Sequence, residues 1–209
     1  MAKEYQVSDL VQEIRVAIDS NLNSEQLTGI GDIDTLALEE IIGSKIAEAA
    51  RIVVLNAPSY LLDGGESLGA TVSWNGTSGR IKLPENFLRL VVFKMSDWSR
   101  AVTVPISDTD PQYALQSSRW AGVRGNPQKP VVAIVPDADG LVLEFYTSNA
   151  GTVEQATYIA MPKVTEGKIK LCEKLHDATV YYAAYLTAIS TGETEISESL
   201  LRIVNELNK

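Results

Sequence analysis

GRIKLPENFLRLVVFKMSDWSRAVTV, residues 79–104, is where the chain changes from helical spacing to strand spacing. Leu88, Leu90, Val91, Val92 and Phe93 form a nearly continuous apolar run, which predicts a central strand buried on both faces. Asp97, Trp98 and Ser99 read as the turn of a hairpin that returns through Val102 and Val104. Around this stretch, alternation punctuated by Gly, Pro, Asn and Asp predicts strands at 71–74, 80–83, 88–94, 102–106, 131–135, 141–146 and 157–161. Residues 137–140, DADG, read as a turn. Asp110 followed by Pro111 predicts a short helix through Leu115, with proline at its first position.

Helical signals flank this region. Ser8 is predicted to cap a helix whose Leu10, Val11, Ile14, Ala17 and Ile18 share one stripe. Residues 21–33, rich in Asn, Gly and Asp, read as a loop. Asp34 then opens a helix carrying Leu38, Ile41, Ile42, Ile46, Ala49, Ala50 and Val53 at three- and four-residue spacing, stopped by Pro58. Helical spacing returns near Gly167 with Leu171, Leu175, Thr179, Tyr182, Leu186 and Ile189, and Gly192 ends that helix. Thr194 caps a last amphipathic helix with Ile196, Leu200, Ile203, Val204 and Leu207 as its stripe. Helices, then strands, then helices predict an α+β fold. In it, residues 1–68 and 164–209 form a helical bundle, one discontinuous domain, and residues 69–163 form a mostly antiparallel, β-rich insertion.

The 209 residues are 45% hydrophobic and 22% charged, which excludes whole-chain disorder and collagen-like repeats. The formal charge is −9, from 18 basic and 27 acidic residues, and argues against a protein that wraps nucleic acid by neutralising phosphates. The charge is uneven. Residues 1–68 hold 4 basic and 12 acidic groups, residues 69–163 hold 9 and 8, and residues 164–209 hold 5 and 7. A basic run in the middle (Arg80, Lys82, Arg89, Lys94, Arg100, Arg119, Arg124, Lys129) is ordinarily a solvated surface. The sharper reading is a face that meets an acidic partner or another copy of the chain. The longest uncharged late stretch, residues 178–192, is only 15 residues, against about 20 for a membrane-spanning helix. Residues 1–6 show no apolar signal core, so the expected setting is a cytosol or a particle assembled there.

Catalytic and metal-binding patterns are weak. Cys172 is the single cysteine, which excludes an internal disulfide and a Cys-based zinc site within one chain. His176 shares its helical face, but no third Cys or His completes a soft site. Residues 65–69, GESLG, match the G-x-S-x-G elbow, and Asp137 or Asp139 and His176 follow in hydrolase order. The expected strand-to-helix context is missing, so Ser67 reads as part of a loop. Gly64 and Gly69 have P-loop spacing without the phosphate-binding lysine. Asn75-Gly76-Thr77 reads as a turn, and the pairs Asp108/Asp110 and Asp137/Asp139 lie in turns and fit no EF-hand. The expectation is therefore no catalytic residue, no cofactor and no metal. Trp74, Trp98 and Trp120 lie in the strand-rich part, and Arg100 and Arg119 beside them suggest interface anchors.

Residues 79–104 also carry a resemblance. An aliphatic-Pro-x-x-Phe-Leu-Arg-Leu run (Leu83 to Leu90) followed by Asp97-Trp98-x-Arg100 resembles the head-to-tail connector proteins of tailed bacteriophages, akin to tail tubular protein A and the portal adaptors. The helix from Leu171 through Ala188, with an acidic gap and a second helix after it, is similar to the late helices of the same family. The resemblance covers about the last two thirds of the chain; residues 1–68 match only in helical character. It implies a virion protein of the neck, made in the host cytoplasm. Such a subunit forms a homo-oligomeric ring, typically of twelve copies. The ring joins the portal protein to a downstream tail or ring protein and surrounds genomic DNA without sequence-specific binding. It implies neither catalysis nor a membrane. The alternative reading is a non-catalytic binding module, a sugar-binding β domain of a tail or surface accessory protein. A ring is heterologous, and an acidic N-terminal part and a basic middle supply unlike faces. Candidate subunit-interface residues are Arg89, Trp98, Arg100, Arg119, Trp120 and Arg124. Reversing the charge of Arg89, Arg100, Arg119 and Arg124 together is expected to weaken assembly at moderate salt. Assembly that is untouched contradicts the unlike-faces reading.

Overall fold

The structure, a computed structural model, describes residues 2–20, 32–62, 65–69, 71–149 and 151–207. In chain order the elements are β1 (Ala2–Gln6), α1 (Val7–Asp19), α2 (Asp32–Asn56), β2 (Glu66–Ser67), β3 (Ser73–Asn75), β4 (Ser78–Lys82), β5 (Phe87–Met95), β6 (Ile106–Ser107), α3 (Pro111–Leu115), β7 (Val131–Asp137), β8 (Gly140–Tyr146), β9 (Val153–Ala160), β10 (Val164–Thr165), β11 (Lys168–Cys172), α4 (His176–Thr191) and α5 (Thr194–Leu207). They fall into two compact units, Met1–Asp63 with Pro162–Lys209, and Gly64–Met161.

The first unit combines four helices with a three-stranded sheet of order β1-β11-β10. The sheet forms because Lys168, Ile169, Lys170 and Leu171 alternate. Ile169 and Leu171 are buried among the helices while Lys168 and Lys170 face solvent. β1 pairs antiparallel with β11, Lys3 opposite Leu171 and Tyr5 opposite Ile169. The chain passes from β1 directly into α1, where the Val7 N–H donates to the Gly167 carbonyl at 2.9 Å. Ser8 therefore lies inside the helix and caps nothing; its hydroxyl donates to Asp9. Leu10, Ile14, Ala17 and Ile18 form the predicted stripe. They meet Ile42, Ile46, Ala49 and Ala50 of α2 and Ala183, Ala184 and Ala188 of α4 in one core. Thr179 and Thr187 are buried on α4 because their hydroxyls donate back to the carbonyls of Leu175 and Ala183, at 2.7 and 2.8 Å. Gly192, at φ +84°, ends α4 in the left-handed conformation that glycine alone adopts without strain. The loop expected at 21–33 lies mostly outside the described residues.

The second unit holds two sheets. One has the order β3-β4-β8-β7-β6, antiparallel except for the parallel pair β6 and β7. The other has the order β2-β9-β5 and is antiparallel. β5 is an edge strand, not a central one, and its register against β9 shifts at three places. Val102 crosses back to Phe93 as a single antiparallel bridge, so the predicted strand at 102–106 survives only as that bridge and β6. Leu90, Phe93 and Met95 meet Ile81, Leu143 and Phe145 in the shared core. Phe93 and Phe145 lie 5.4 Å apart by ring centroid, and Trp98 stands edge-on to both. The outer face of the larger sheet carries a second cluster, Ala133, Val135, Val142 and Tyr146, against Ile106 and Tyr113.

The fold is thus mixed α/β, 40% helical and 31% strand, with sheets of 3, 3 and 5 strands. This corrects the expected helical bundle with one β-rich insertion. The correction has a local cause. Leu171 and Leu175 are four apart and mimic a helical stripe, yet residues 168–172 are a strand and Glu173–Leu175 a 3-10 turn.

Gly79 faces the Phe145 ring so closely that a Cβ would run into it. Gly79→Ala is expected to destabilise the second unit by about 1–3 kcal/mol through overpacking. Phe93→Ala is expected to cost about 3–5 kcal/mol through the cavity it leaves. Urea denaturation followed by tryptophan fluorescence checks both, and midpoints equal to that of the parent chain contradict the packing described.

A candidate interaction surface

The stretch between β6 and β7 is held by its own polar groups. Asp110 accepts from the Gln112 N–H at 2.8 Å and caps α3 behind Pro111, as the Asp-Pro pair predicts. Gln116 is 8% exposed and bonds in two directions. Its amide donates to the Gln112 carbonyl at 2.9 Å and accepts from the Gly125 N–H at 2.7 Å. Asn126 donates to the Ala121 carbonyl and accepts from the N–H groups of Gln128 and Lys129. Ser99 ties the preceding segment to the carbonyls of Pro127 and Gln128.

That hydrogen-bonded frame, with the segment before β6, turns apolar side chains outward. Val104 is 72% exposed, Trp120 71%, Val123 48% and Leu115 47%. Val104, Leu115 and Val123 line a groove of about 380 Å³ together with Arg100, Arg124 and Lys129, and no carboxylate lines it. The Arg124 Nε is buried and has no hydrogen-bond partner among the described residues. The groove is therefore lined by aliphatic, amide and cationic side chains.

The sequence-predicted interface residues separate accordingly. Arg100 and Arg124 come together in the groove, and Arg119 and Trp120 are exposed on the turn beside it. Arg89 is half-buried on β5, in the other sheet, and desolvation pushes its guanidinium below the usual arginine value. Trp98 is 3% exposed and belongs to the core, its indole N–H donating to the Thr147 carbonyl at 3.0 Å. It has no face left for a partner.

A second polar site went unread in the sequence. Glu144 is 6% exposed, in an otherwise apolar strand. It accepts from Arg80 of β4, from the Tyr113 hydroxyl of α3 at 3.0 Å and from the Tyr146 hydroxyl at 2.6 Å. Arg80 also reaches Asp137 at 3.8 Å. A cleft of about 480 Å³ opens beside this cluster. Its hydrogen bond to Glu144, then the carboxylate's charge, hold the Arg80 guanidinium above its usual value. Burial, reinforced by Glu144, raises the Tyr146 hydroxyl well above the usual tyrosine range, and burial raises Tyr113 in the same direction. With three donors on its two oxygens, Glu144 acts as a tie between α3 and the sheet. The signal for it was a lone carboxylate in the strand GLVLEFY, where an unpaired charge is costly.

The other motifs disperse. Ser67 lies in β2, paired with Thr157, and not in a strand-to-helix turn. Asp137 binds the Ala138 N–H as a turn residue. Cys172 donates to the Leu61 carbonyl at 3.1 Å. His176 stacks on Tyr5 at 4.6 Å, with Asp177 2.9 Å from Nδ1 and Glu13 3.1 Å from Nε2. Among the described residues no group of three or more His, Cys, Asp or Glu is placed to hold a metal, and no helix is long and apolar enough to cross a membrane. Compared with known proteins, the chain matches no family model and no curated protein.

The tyrosines make the fold sensitive to alkali. Tyr146 has a folded pKa above the ordinary 10.0, so the unfolded chain releases that proton first as pH rises. The stability it contributes is complete below pH 10 and falls as pH climbs toward the folded value. Tyr113, Tyr5, Tyr158 and Tyr182 are raised too and act in the same direction. Tyr146→Phe is expected to flatten, not abolish, the fall in urea midpoint between about pH 8 and pH 10.5. An unchanged slope contradicts the Glu144–Tyr146 geometry.

Proposed function

We propose that the chain is a structural subunit of a tailed-phage neck, a head-to-tail adaptor that assembles as a ring between portal and tail around the DNA exit channel. The observation that carries this reading is the frame between β6 and β7. It is fixed internally by hydrogen bonds, yet it presents Leu115, Trp120 and Val123 to solvent among Arg119, Arg124 and Lys129, with Arg100 and Val104 beside them from the segment before β6. A patch of aromatic, aliphatic and arginine side chains is the composition of a protein–protein interface. The resemblance of residues 79–104 to phage connectors supports the same reading, and its residues have physical work in the fold. Phe87 and Leu90 anchor β5 in the core, Trp98 locks the turn, and Arg100 enters the groove. Asp97 accepts from the Ser148 hydroxyl and the Asn149 N–H, both at 2.7 Å. The balance of −9 suits a ring that DNA slides through without being held by its phosphates.

Mass measurement with negative-stain imaging of the purified chain, alone and with a portal, tests the proposal. Rings in either sample are expected. A monomer that ignores a portal and binds glycans contradicts it and favours the sugar-binding alternative. Trp120→Ala is expected to leave fold stability within about 0.5 kcal/mol, because the side chain is exposed, and to weaken assembly. Unweakened assembly removes Trp120 from the interface.

A further inference from the structure

We infer that the groove of the second unit receives the acidic corner between α4 and α5 of a second copy of this chain. The inference rests on the ring reading and names the two surfaces that meet. On one side, Arg100, Arg124 and Lys129 line a groove that holds Val104, Leu115 and Val123 and no carboxylate, and Arg119 is exposed beside it. None of these four cations forms an ion pair among the described residues. Arg124 has no carboxylate partner there, and its buried Nε has no acceptor among the described residues.

On the other side, residues 186–201 carry three glutamates and no lysine or arginine. Glu193, Glu195 and Glu198 are all exposed, and none has a cationic partner among the described residues. Ile189, one turn before Gly192, is 51% exposed and supplies an apolar knob. Glu39 and Glu48 of the first unit, by contrast, pair with Arg15 and Lys45. The α4–α5 corner is thus an acidic, partly apolar surface left unneutralised, and the groove is its chemical complement. Docking one on the other is a heterologous contact, the kind of contact from which rings are built.

A charge-swap experiment tests this. One variant carries Arg100→Glu and Lys129→Glu, and another carries Glu193→Lys and Glu198→Lys. All four positions are exposed, so both variants are expected to keep the parent's circular dichroism and thermal midpoint. In sedimentation velocity at low ionic strength, each variant alone is expected to associate more weakly than the parent by about tenfold or more. Mixing the two is expected to restore association, since each reversed surface then finds its opposite. Variants that assemble like the parent overturn the pairing and leave the ring reading standing. So does weakened association that mixing fails to restore. Unchanged self-association with lost binding to a short DNA duplex assigns the groove to nucleic acid and overturns the pairing as well. A parent chain that never assembles, alone or with a portal, overturns the ring reading itself.

Discussion

The packing of Phe145 against Phe93 and Trp98 is the contact on which the second unit depends. Phe145 comes from the five-stranded sheet and Phe93 from the three-stranded one, so their rings join the two layers. Gly79 leaves the room for that approach. Strand alternation does the rest. With Leu143 and Phe145 directed to the shared core, Val142, Glu144 and Tyr146 must project from the opposite face of β8. There Glu144 collects Arg80, Tyr113 and Tyr146, and α3 is held against the sheet. The frame that follows α3 inherits its position from this tie.

The first unit solves a different problem. Small residues on α4, with threonine hydroxyls bonded back to their own helix, let α1, α2 and α5 share one core around it. Little of its charge takes part in that packing. The acids stay outside, some paired with neighbouring cations and those at the α4–α5 corner unpaired among the described residues. The two units differ in how much of the negative charge they carry: the first holds 10 basic and 18 acidic residues and the second 8 and 9, a contrast that the bulk value of −9 conceals.

Much of this was legible in the sequence where one period dominated. The stripes of α1, α2 and α5 and the strands β4, β7 and β8 follow directly from spacing, and Asp110-Pro111 marked α3. The pattern failed where two periods coincided. In β11 the alternation of Lys168 to Leu171 was overridden by the four-residue step from Leu171 to Leu175, and a sheet was lost from the fold class. β1 has a single large apolar residue, Tyr5, and is defined by backbone pairing that side chains do not announce. Trp98 and Trp120 look alike in sequence, each beside an arginine. What separates them is tertiary: the carbonyl of Thr147 and two phenylalanine rings enclose Trp98, and nothing comparable reaches Trp120. Likewise, no local pattern brings Arg100 to Arg124; the loop bonds of Gln116, Asn126 and Ser99 do that.

On the ring proposal, the surface between β6 and β7 is covered when the chain assembles. A cryo-electron-microscopy map of the assembled chain reads this directly. The predicted map has a seam in which residues 100–131 of one copy enclose residues 186–201 of the next, with Trp120 out of solvent. A ring whose seam lies elsewhere and leaves Trp120 in water would contradict it.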